Sequence, residues 1–176
     1  MNEDVLRDSR VNIHAQDAVE FVDASAAKWD VIILDLPDPN DDTLSRLYAQ
    51  STYRLILSRL AVGGALVTQA TSPFFAPDAF WCIVETLETV SGSEMKVRPY
   101  HLNVPSFGEW GFVMVSPQKG EMPQLPVSVR TEFIDQATLE AMFHFPRDMA
   151  RRRVEPNRLT TAVLAKYYRD GWKKFN

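Results

Sequence analysis

Apolar positions in the first half of the chain switch repeatedly between two spacings. Short apolar runs, typical of strands, alternate with segments whose apolar residues recur every three or four positions, as in amphipathic helices. The predicted strands are residues 11–14, 31–34 and 65–69. The predicted helices are residues 17–22, 43–60 and 78–89. This alternation favours an α/β fold with a largely parallel sheet.

The second half of the chain has a different pattern. Residues 97–103 and 110–116 predict two further strands, which we expect to pair with each other. A proline-bearing connection follows at 117–126, and two short helices are predicted at 135–143 and 157–175.

Two carboxylates follow the second predicted strand. Asp35 comes directly after the apolar run at 31–34, and Asp38 stands between two prolines, Pro37 and Pro39, which stop the strand. In an open parallel sheet, ligands bind just beyond the carboxyl ends of the strands. We therefore expect both carboxylates at a ligand crevice, where they suit a cationic substrate or the removal of a proton from one.

A glycine-rich loop after a strand is missing from the sequence. Gly63 and Gly64 lie between a predicted helix and a predicted strand, which is the wrong side for cradling a phosphate or a nucleoside. Either the fold binds no nucleotide, or its N-terminal part is absent from this chain.

Composition narrows the class further. Of 176 residues, 45% are hydrophobic, which is enough for a core, and 19 basic against 23 acidic residues give a formal charge of −4. This balance argues against a nucleic-acid-binding domain.

A single cysteine, Cys82, fits a reducing cytoplasm, and the three scattered histidines have no metal-ligand spacing, so we expect no metal. No apolar stretch approaches the ~20 residues of a membrane span.

Several segments, in order along the chain, resemble the spermidine synthase (polyamine aminopropyltransferase) family. The match is closest to the bacterial branch whose catalytic domain often follows a membrane-spanning region. The matching segments are QDA at 16–18, DLPDP at 35–39, LYAQSTY at 47–53, GGALVTQ at 63–69, PYH at 99–101, VPSFGEWGF at 104–112, FPRDM at 145–149 and NRL at 157–159.

The resemblance implies a Rossmann-like (methyltransferase-like) α/β fold, with a mostly parallel sheet and helices on both faces. The chain would begin just before the family's third strand, so strands 1 and 2, with the Gly-rich loop and the ribose-binding acid, have no counterpart here. We therefore expect one partial catalytic domain over 1–176, with a sheet region at 1–117 and a C-terminal connection and helices at 118–176.

The family's reaction moves an aminopropyl group from decarboxylated S-adenosylmethionine to putrescine, giving spermidine and methylthioadenosine. By resemblance, Asp35 is the base that accepts the proton of the attacking amine. Substrate contacts are implied for Asp38, Gln69, Phe107 and Tyr48, and contacts to the adenosyl donor for Asp17, Ala18 and Pro37. Many family members carry tyrosine where this chain has Phe107, which keeps the apolar wall and drops the hydroxyl.

These residues also have structural interpretations. Asp35 and Asp38 could serve the turn around the prolines, and Asp17 could cap a helix. Gln69 could be a polar strand end facing solvent, and Tyr48 could pack in the helix layer.

Two other functions stay open. A small-amine methyltransferase dependent on S-adenosylmethionine would share the fold, although paired carboxylates suit an amine cation better. A non-catalytic fragment that binds polyamines or a partner subunit would explain the missing Gly-rich loop.

The resemblance also implies partners and location. The expected ligands are small molecules, a polyamine and the adenosyl donor as co-substrate, with no permanently bound cofactor and no nucleic acid. A homo-oligomer in the cytoplasm is expected. The bacterial branch also implies a membrane-spanning region in a longer natural protein.

Overall fold

The structure is a computed structural model that describes residues 3–117, 124–126, 128 and 130–175. Its elements, in chain order, are α1 (Glu3–Leu6), α2 (Ala18–Ala24), β1 (Trp29–Leu34), α3 (Asp42–Ser45), a 3₁₀ turn (Arg46–Tyr48), α4 (Gln50–Leu57), β2 (Leu60–Gln69), α5 (Pro77–Val90), β3 (Met95–Val104), β4 (Gly108–Pro117), α6 (Gln136–Met142) and α7 (Val163–Trp172). Most of the predicted connection at 117–126 lies outside the described residues.

The described strands form one sheet in the order β1-β2-β4-β3. β1 and β2 run parallel, whereas β4 is antiparallel to both β2 and β3. The expected pairing of the two late strands is confirmed, since β3 and β4 form a hairpin along their whole length. The α/β class is confirmed too, but the sheet is mixed rather than mostly parallel in this part of the chain, because the hairpin places β4 beside β2.

One face of the sheet carries the core. Leu66 of β2 pairs with Val115 of β4, and Thr68 pairs with Val113, so buried positions of neighbouring strands stand side by side. Leu66, Val113 and Val115 share a hydrophobic cluster with residues of α4, α5 and α7. The largest fully buried side chains of α5 are Phe80, Ile83, Val84 and Leu87. Burial of this face supplies most of the driving force for folding.

The opposite face is covered only in part by the residues that the structure describes. Val31 and Ile33 of β1 are 62% and 73% exposed. Near β3, the ring of Tyr100 stacks on Phe112 and meets Phe143, just after α6. Helices were expected on both faces. The described helices cover the core face fully and the opposite face only in part. Strands of parallel sheets are normally buried on both faces, so β1 presents an unusual apolar surface.

Gly63 and Gly64 lie inside β2, so their prediction as a helix–strand boundary is wrong. The β1–β2 register shifts between Trp29 and Val31, where β2 carries extra residues as a bulge. Gly63 has a φ of +85°, a left-handed conformation that favours glycine. A Cβ on Gly64 would lie 2.9 Å from the backbone oxygen of Asp30. The two glycines thus allow β2 to bulge and continue, which lengthens the strand beyond the predicted 65–69.

The predicted helix at 43–60 is interrupted. α3, the 3₁₀ turn and α4 occupy this segment, and the break falls at Ala49, whose backbone is extended. The N–H of Gln50, which opens α4, donates to the carbonyl of Asn157 (3.0 Å). Apolar spacing persists on both sides of the break, so a contact from the far end of the chain decides where the first helix ends.

The predicted helix at 157–175 is shorter than expected and begins at Val163. Asn157 is fully buried and its polar groups bond to other elements. Its side-chain amide donates to the carbonyl of Ser45 (2.7 Å), and its N–H donates to the hydroxyl of Thr86 (2.8 Å). These bonds tie α3, α5 and the start of α4 together, and they leave Asn157 outside the helix.

The prediction of a strand at 11–14 is wrong, whereas three helix predictions are confirmed. Residues 11–14 are exposed and have no regular structure, because no described strand lies beside them. The predicted helices at 17–22, 78–89 and 135–143 all form. Asp17 and Asp135 cap two of them through side-chain bonds to backbone N–H groups.

Candidate active site

The turn after β1 is the centre of the candidate site. Asp35 follows the strand directly and is exposed, and Asp38 is half-buried. The prolines flanking Asp38 have no N–H to offer a strand, so β1 ends here. The hydroxyl of Tyr48 donates to the carbonyl of Pro37 (2.9 Å), with that of Leu36 at 3.2 Å. The turn is therefore held by side chains rather than by strand pairing.

Gln69, the last residue of β2, uses both ends of its amide on the protein itself. Its NH₂ group donates to the carbonyl of Leu36 (2.7 Å) and to the hydroxyl of Tyr48, and Oδ1 of Asp38 lies 3.5 Å away. Its carbonyl oxygen accepts from the N–H of Thr71 (2.9 Å). Gln69 is almost fully buried, so it braces the turn from below rather than facing solvent.

Tyr48 also holds the turn in place. It is fully buried, and burial, with smaller contributions from Tyr53, Asp38 and Asp35, raises the pKa of its hydroxyl far above the ordinary value. The hydroxyl therefore stays protonated at physiological pH and acts as a donor to the turn.

Asp38 accepts a hydrogen bond from the hydroxyl of Tyr168 on α7 (3.0 Å to Oδ2). Burial raises the pKa of Asp38, while the hydrogen bonds from Tyr168 and Gln69 lower it in part. Burial and the charge of Asp38 likewise raise the pKa of Tyr168, which keeps that hydroxyl a donor. None of the ion pairs formed by the described residues involves Asp38.

Two adjoining cavities open at this end of the sheet. The first has a volume of about 520 Å³ and includes Asp35, with Gln69 at its floor. The second has a volume of about 610 Å³ and includes Asp38. Phe107 and Trp110 line both cavities, and their ring centroids are 5.3 Å apart. The β3–β4 hairpin therefore contributes the same pair of aromatic rings to both cavities.

The residues implied for the adenosyl donor are less well assembled. Asp17 is exposed, and its carboxylate accepts from the N–H groups of Val19 (2.8 Å) and Glu20 (3.0 Å) as a helix cap. Ala18 begins α2 and is exposed. Neither residue lines either cavity, and Pro37 offers its carbonyl to Tyr48.

A third cavity, of about 740 Å³, lies at the opposite end of the strands. Leu57, Val62 and Met95 are among the residues that line it. It contains none of the predicted site residues, so the chemistry is placed at the two smaller cavities despite its larger size.

Tyr168 and Trp172 are site residues that the sequence analysis missed, and both line the cavity of Asp38. They follow Leu164 at intervals of four, which is the usual spacing of core positions on a helix. The one signal in the sequence was that two aromatic residues with polar atoms share this face.

In ranges 3–117 and 130–175, no group of three or more His, Cys, Asp or Glu side chains has an arrangement that could hold a metal ion. No described helix is long and apolar enough to cross a membrane.

Sheet, helix layer and strand-end carboxylates define a methyltransferase-like α/β domain, and solved structures support this class. The spermidine synthase of Thermotoga maritima superposes with a TM-score of 0.64 at 20% identity, over 79% of this chain and 48% of that chain. A spermidine synthase in complex with the transition-state analogue AdoDATO gives 0.62 at 19% identity, over 79% and 47% of the two chains.

The spermine/spermidine synthase domain matches residues 1–126, so the chain belongs to this family, as its segments predicted. Polyamine aminopropyltransferase 2 of Ralstonia nicotianae is 39% identical over 98% of this chain and 33% of its own length. The polyamine aminopropyltransferase of Oceanobacillus iheyensis is 34% identical over 99% of this chain and 34% of its own length. The chain thus spans about a third of the length of these curated relatives.

Proposed function

We propose that this chain carries the acceptor-binding and proton-accepting part of a polyamine aminopropyltransferase. The reaction would transfer the aminopropyl group of decarboxylated S-adenosylmethionine to putrescine, giving spermidine and methylthioadenosine. One observation carries the proposal. Asp35 and Asp38 follow a single strand and line adjoining cavities that share the rings of Phe107 and Trp110.

The chemistry explains why a carboxylate is needed at Asp35. The lone pair of the amine attacks the carbon next to the sulfonium, the C–S bond breaks, and its electron pair stays on sulfur as a neutral thioether. An aliphatic amine with a pKa near that of lysine, about 10.4, is almost fully protonated at neutral pH. An exposed carboxylate at the rim of an apolar cavity can take up the proton that the amine loses. Asp35 has that placement.

The second carboxylate and the rings suit the rest of an aliphatic diamine. Asp38 offers a negative charge to the distant ammonium, while Phe107 and Trp110 offer apolar surface to the methylene chain between the two amines. Gln69 and Tyr48 contribute indirectly to binding this substrate, because they hold the turn that carries the two carboxylates.

The test is transfer by the chain itself. We expect Asp35→Asn to lower the rate of methylthioadenosine and spermidine formation, followed by mass spectrometry, by about 10²–10⁴-fold, the usual contribution of a general base. The matched control is Asp30→Asn, which changes an exposed carboxylate within β1 that lies outside both cavities. Circular dichroism should show that both variants keep the fold. A rate for Asp35→Asn above about a tenth of the parent rate rejects Asp35 as the base.

One observation favours a second candidate, a domain that binds polyamines without transferring them. Asp17 and Ala18 lie outside both cavities, so the described residues build the acceptor side more fully than the donor side. The two candidates separate in calorimetry with methylthioadenosine. Binding of both putrescine and methylthioadenosine supports transfer, whereas binding of putrescine alone, with no product formed, supports the second candidate.

A further inference from the structure

Helix α7 reaches across the molecule to the turn after β1. Two consecutive residues of α7 hold that turn: the hydroxyl of Tyr168 donates to the carboxylate of Asp38 (3.0 Å), and Arg169 donates to the carbonyl of Asn40 (3.2 Å). The helix therefore fixes both a side chain and the backbone of the turn that carries the two acids.

The same helix forms a wall of the cavity of Asp38. Five aromatic rings line this cavity, contributed by the segment before α5, by the β3–β4 hairpin and by α7: Phe75, Phe107, Trp110, Tyr168 and Trp172. The rings of Phe75 and Trp172 are stacked, with centroids 4.8 Å apart, and those of Tyr168 and Trp172 lie 6.0 Å apart. Faces of such rings attract cations, and tryptophan does so most strongly.

The described residues that line this cavity carry negative charge and no positive charge. Asp38 is the one acid among the described residues that line it, and no Lys or Arg lies on the same wall. A half-buried carboxylate that lacks an ion pair gains most from a cation that arrives as a ligand, because the cation replaces the water that burial removed.

We infer that α7 decides which acceptor amine is taken, with Tyr168 as the positioning residue that aims Asp38 at the distal ammonium and Trp172 as part of the cation-binding wall. The inference rests on the proposed function for the identity of the ligand, an aliphatic diamine. The Tyr168 hydroxyl binds Oδ2 and so limits the rotation of the carboxylate. Oδ1 has only the long contact of 3.5 Å to the Gln69 amide, and it keeps room to accept from the ligand. An acceptor without a second ammonium would gain nothing from this arrangement.

The test compares two ligands on one set of variants by isothermal titration calorimetry at neutral pH. The probes are 1,4-diaminobutane and 1-aminobutane, which lacks the distal ammonium. The variants are Tyr168→Phe, which keeps the ring and removes the hydroxyl, and Tyr167→Phe, a matched control on the same helix that does not line the cavity. Asp38→Asn and the double variant complete a cycle that measures coupling between the two residues.

We expect Tyr168→Phe to weaken the binding of 1,4-diaminobutane about three- to tenfold, the range for one typical hydrogen bond. The affinity for 1-aminobutane should stay unchanged. Tyr167→Phe should change the affinity for neither ligand. In the Asp38→Asn background, Tyr168→Phe should have no further effect, because the hydroxyl acts through the carboxylate. Three results would each overturn the inference. Tyr168→Phe could weaken the binding of both ligands equally, it could have an undiminished effect in the Asp38→Asn background, or the parent could give no heat of binding with the diamine.

A parallel assay of aminopropyl transfer separates this inference from the proposed function. Selective loss of diamine binding in Tyr168→Phe, in a chain that forms no spermidine, supports the pocket and rejects the transferase. Spermidine formation whose diamine-to-monoamine preference is the same in the parent and in Tyr168→Phe rejects the pocket and supports the transferase.

Discussion

The residues of the candidate site differ in how well they can be predicted from the sequence. Asp35 and Asp38 could be predicted, because an apolar run that stops at prolines marks a strand end, and strand ends of open sheets bind ligands. Tyr168 could not be predicted, because its partner lies 130 residues away and its helical spacing is that of a core residue. Gln69 was predicted as a ligand contact, and the structure shows how its amide braces the turn.

The pKa of Asp38 makes a prediction about stability. Burial raises it above the ordinary 3.8, so the folded state binds a proton more readily than the unfolded state does. The free energy of unfolding contributed by this group is therefore greatest at low pH and falls as pH rises from about 3.8 through the raised pKa. Asp38→Asn removes this dependence, so its stability relative to the parent should increase between pH 3.5 and pH 7.

Urea unfolding at the two pH values measures this difference. Asp148→Asn is the control, since Asp148 is an exposed carboxylate. This variant measures the effect of replacing a surface carboxylate by an amide at the same two pH values. A relative stability of Asp38→Asn that stays constant or falls from pH 3.5 to pH 7 contradicts the assignment of a raised pKa.

Elements were predictable where the signal is local. Pro77 in the first turn marks the start of α5, and Asp135 marks the start of α6 by capping it. The break at Ala49 and the late start of α7 depend instead on Asn157, which is buried and bonds to three other elements. Periodicity within one segment carries no information about such distant contacts.

Packing of α7 depends on a close approach at Gly171. A Cβ there would lie 2.6 Å from Cα of Ala76 and 2.8 Å from the carbonyl oxygen of Phe75, so the helix rests directly on backbone. Gly171→Ala should force α7 outward and lower the free energy of unfolding by roughly 1–3 kcal/mol, as overpacking usually does. Because Tyr168 and Trp172 belong to the same helix, diamine binding should weaken as well.

Gly92→Ala is the matched control for that experiment. A Cβ at Gly92 would meet nothing within 4 Å. Its unfolding free energy in urea should stay within about 0.5 kcal/mol of the parent value, the usual range for surface substitutions. Equal stability of Gly171→Ala and Gly92→Ala would show that α7 is not held by this contact.

At the scale of the whole molecule, the uncovered face of the sheet is the dominant surface feature. Val31 and Ile33 stand exposed on β1, the edge strand of the described sheet, and Val62 of β2 is fully exposed. An apolar edge strand with unpaired backbone groups is a template for another strand. The expectation of a homo-oligomer stays a prediction that this surface supports.

Val31→Lys tests that prediction. Static light scattering over a range of concentrations should show self-association of the parent chain and a shift towards the monomer in the variant, because a charge on the edge strand opposes pairing. Ser93→Lys adds the same charge at an exposed site outside the sheet and should behave like the parent. A monomeric parent at all concentrations removes this edge as an interface between copies.

The hydrogen bond between Tyr168 and Asp38 spans 130 residues, and this separation orders events during synthesis. At roughly 5–20 residues per second, a ribosome makes α7 about ten seconds after the turn that carries the acids. The strands and α5 emerge earlier, when Leu164 of α7 is still missing from the core cluster and Tyr168 and Trp172 are missing from the cavity of Asp38. Under the inferred role of α7, affinity for a diamine should therefore arise only after this helix has been synthesised and has packed against α5.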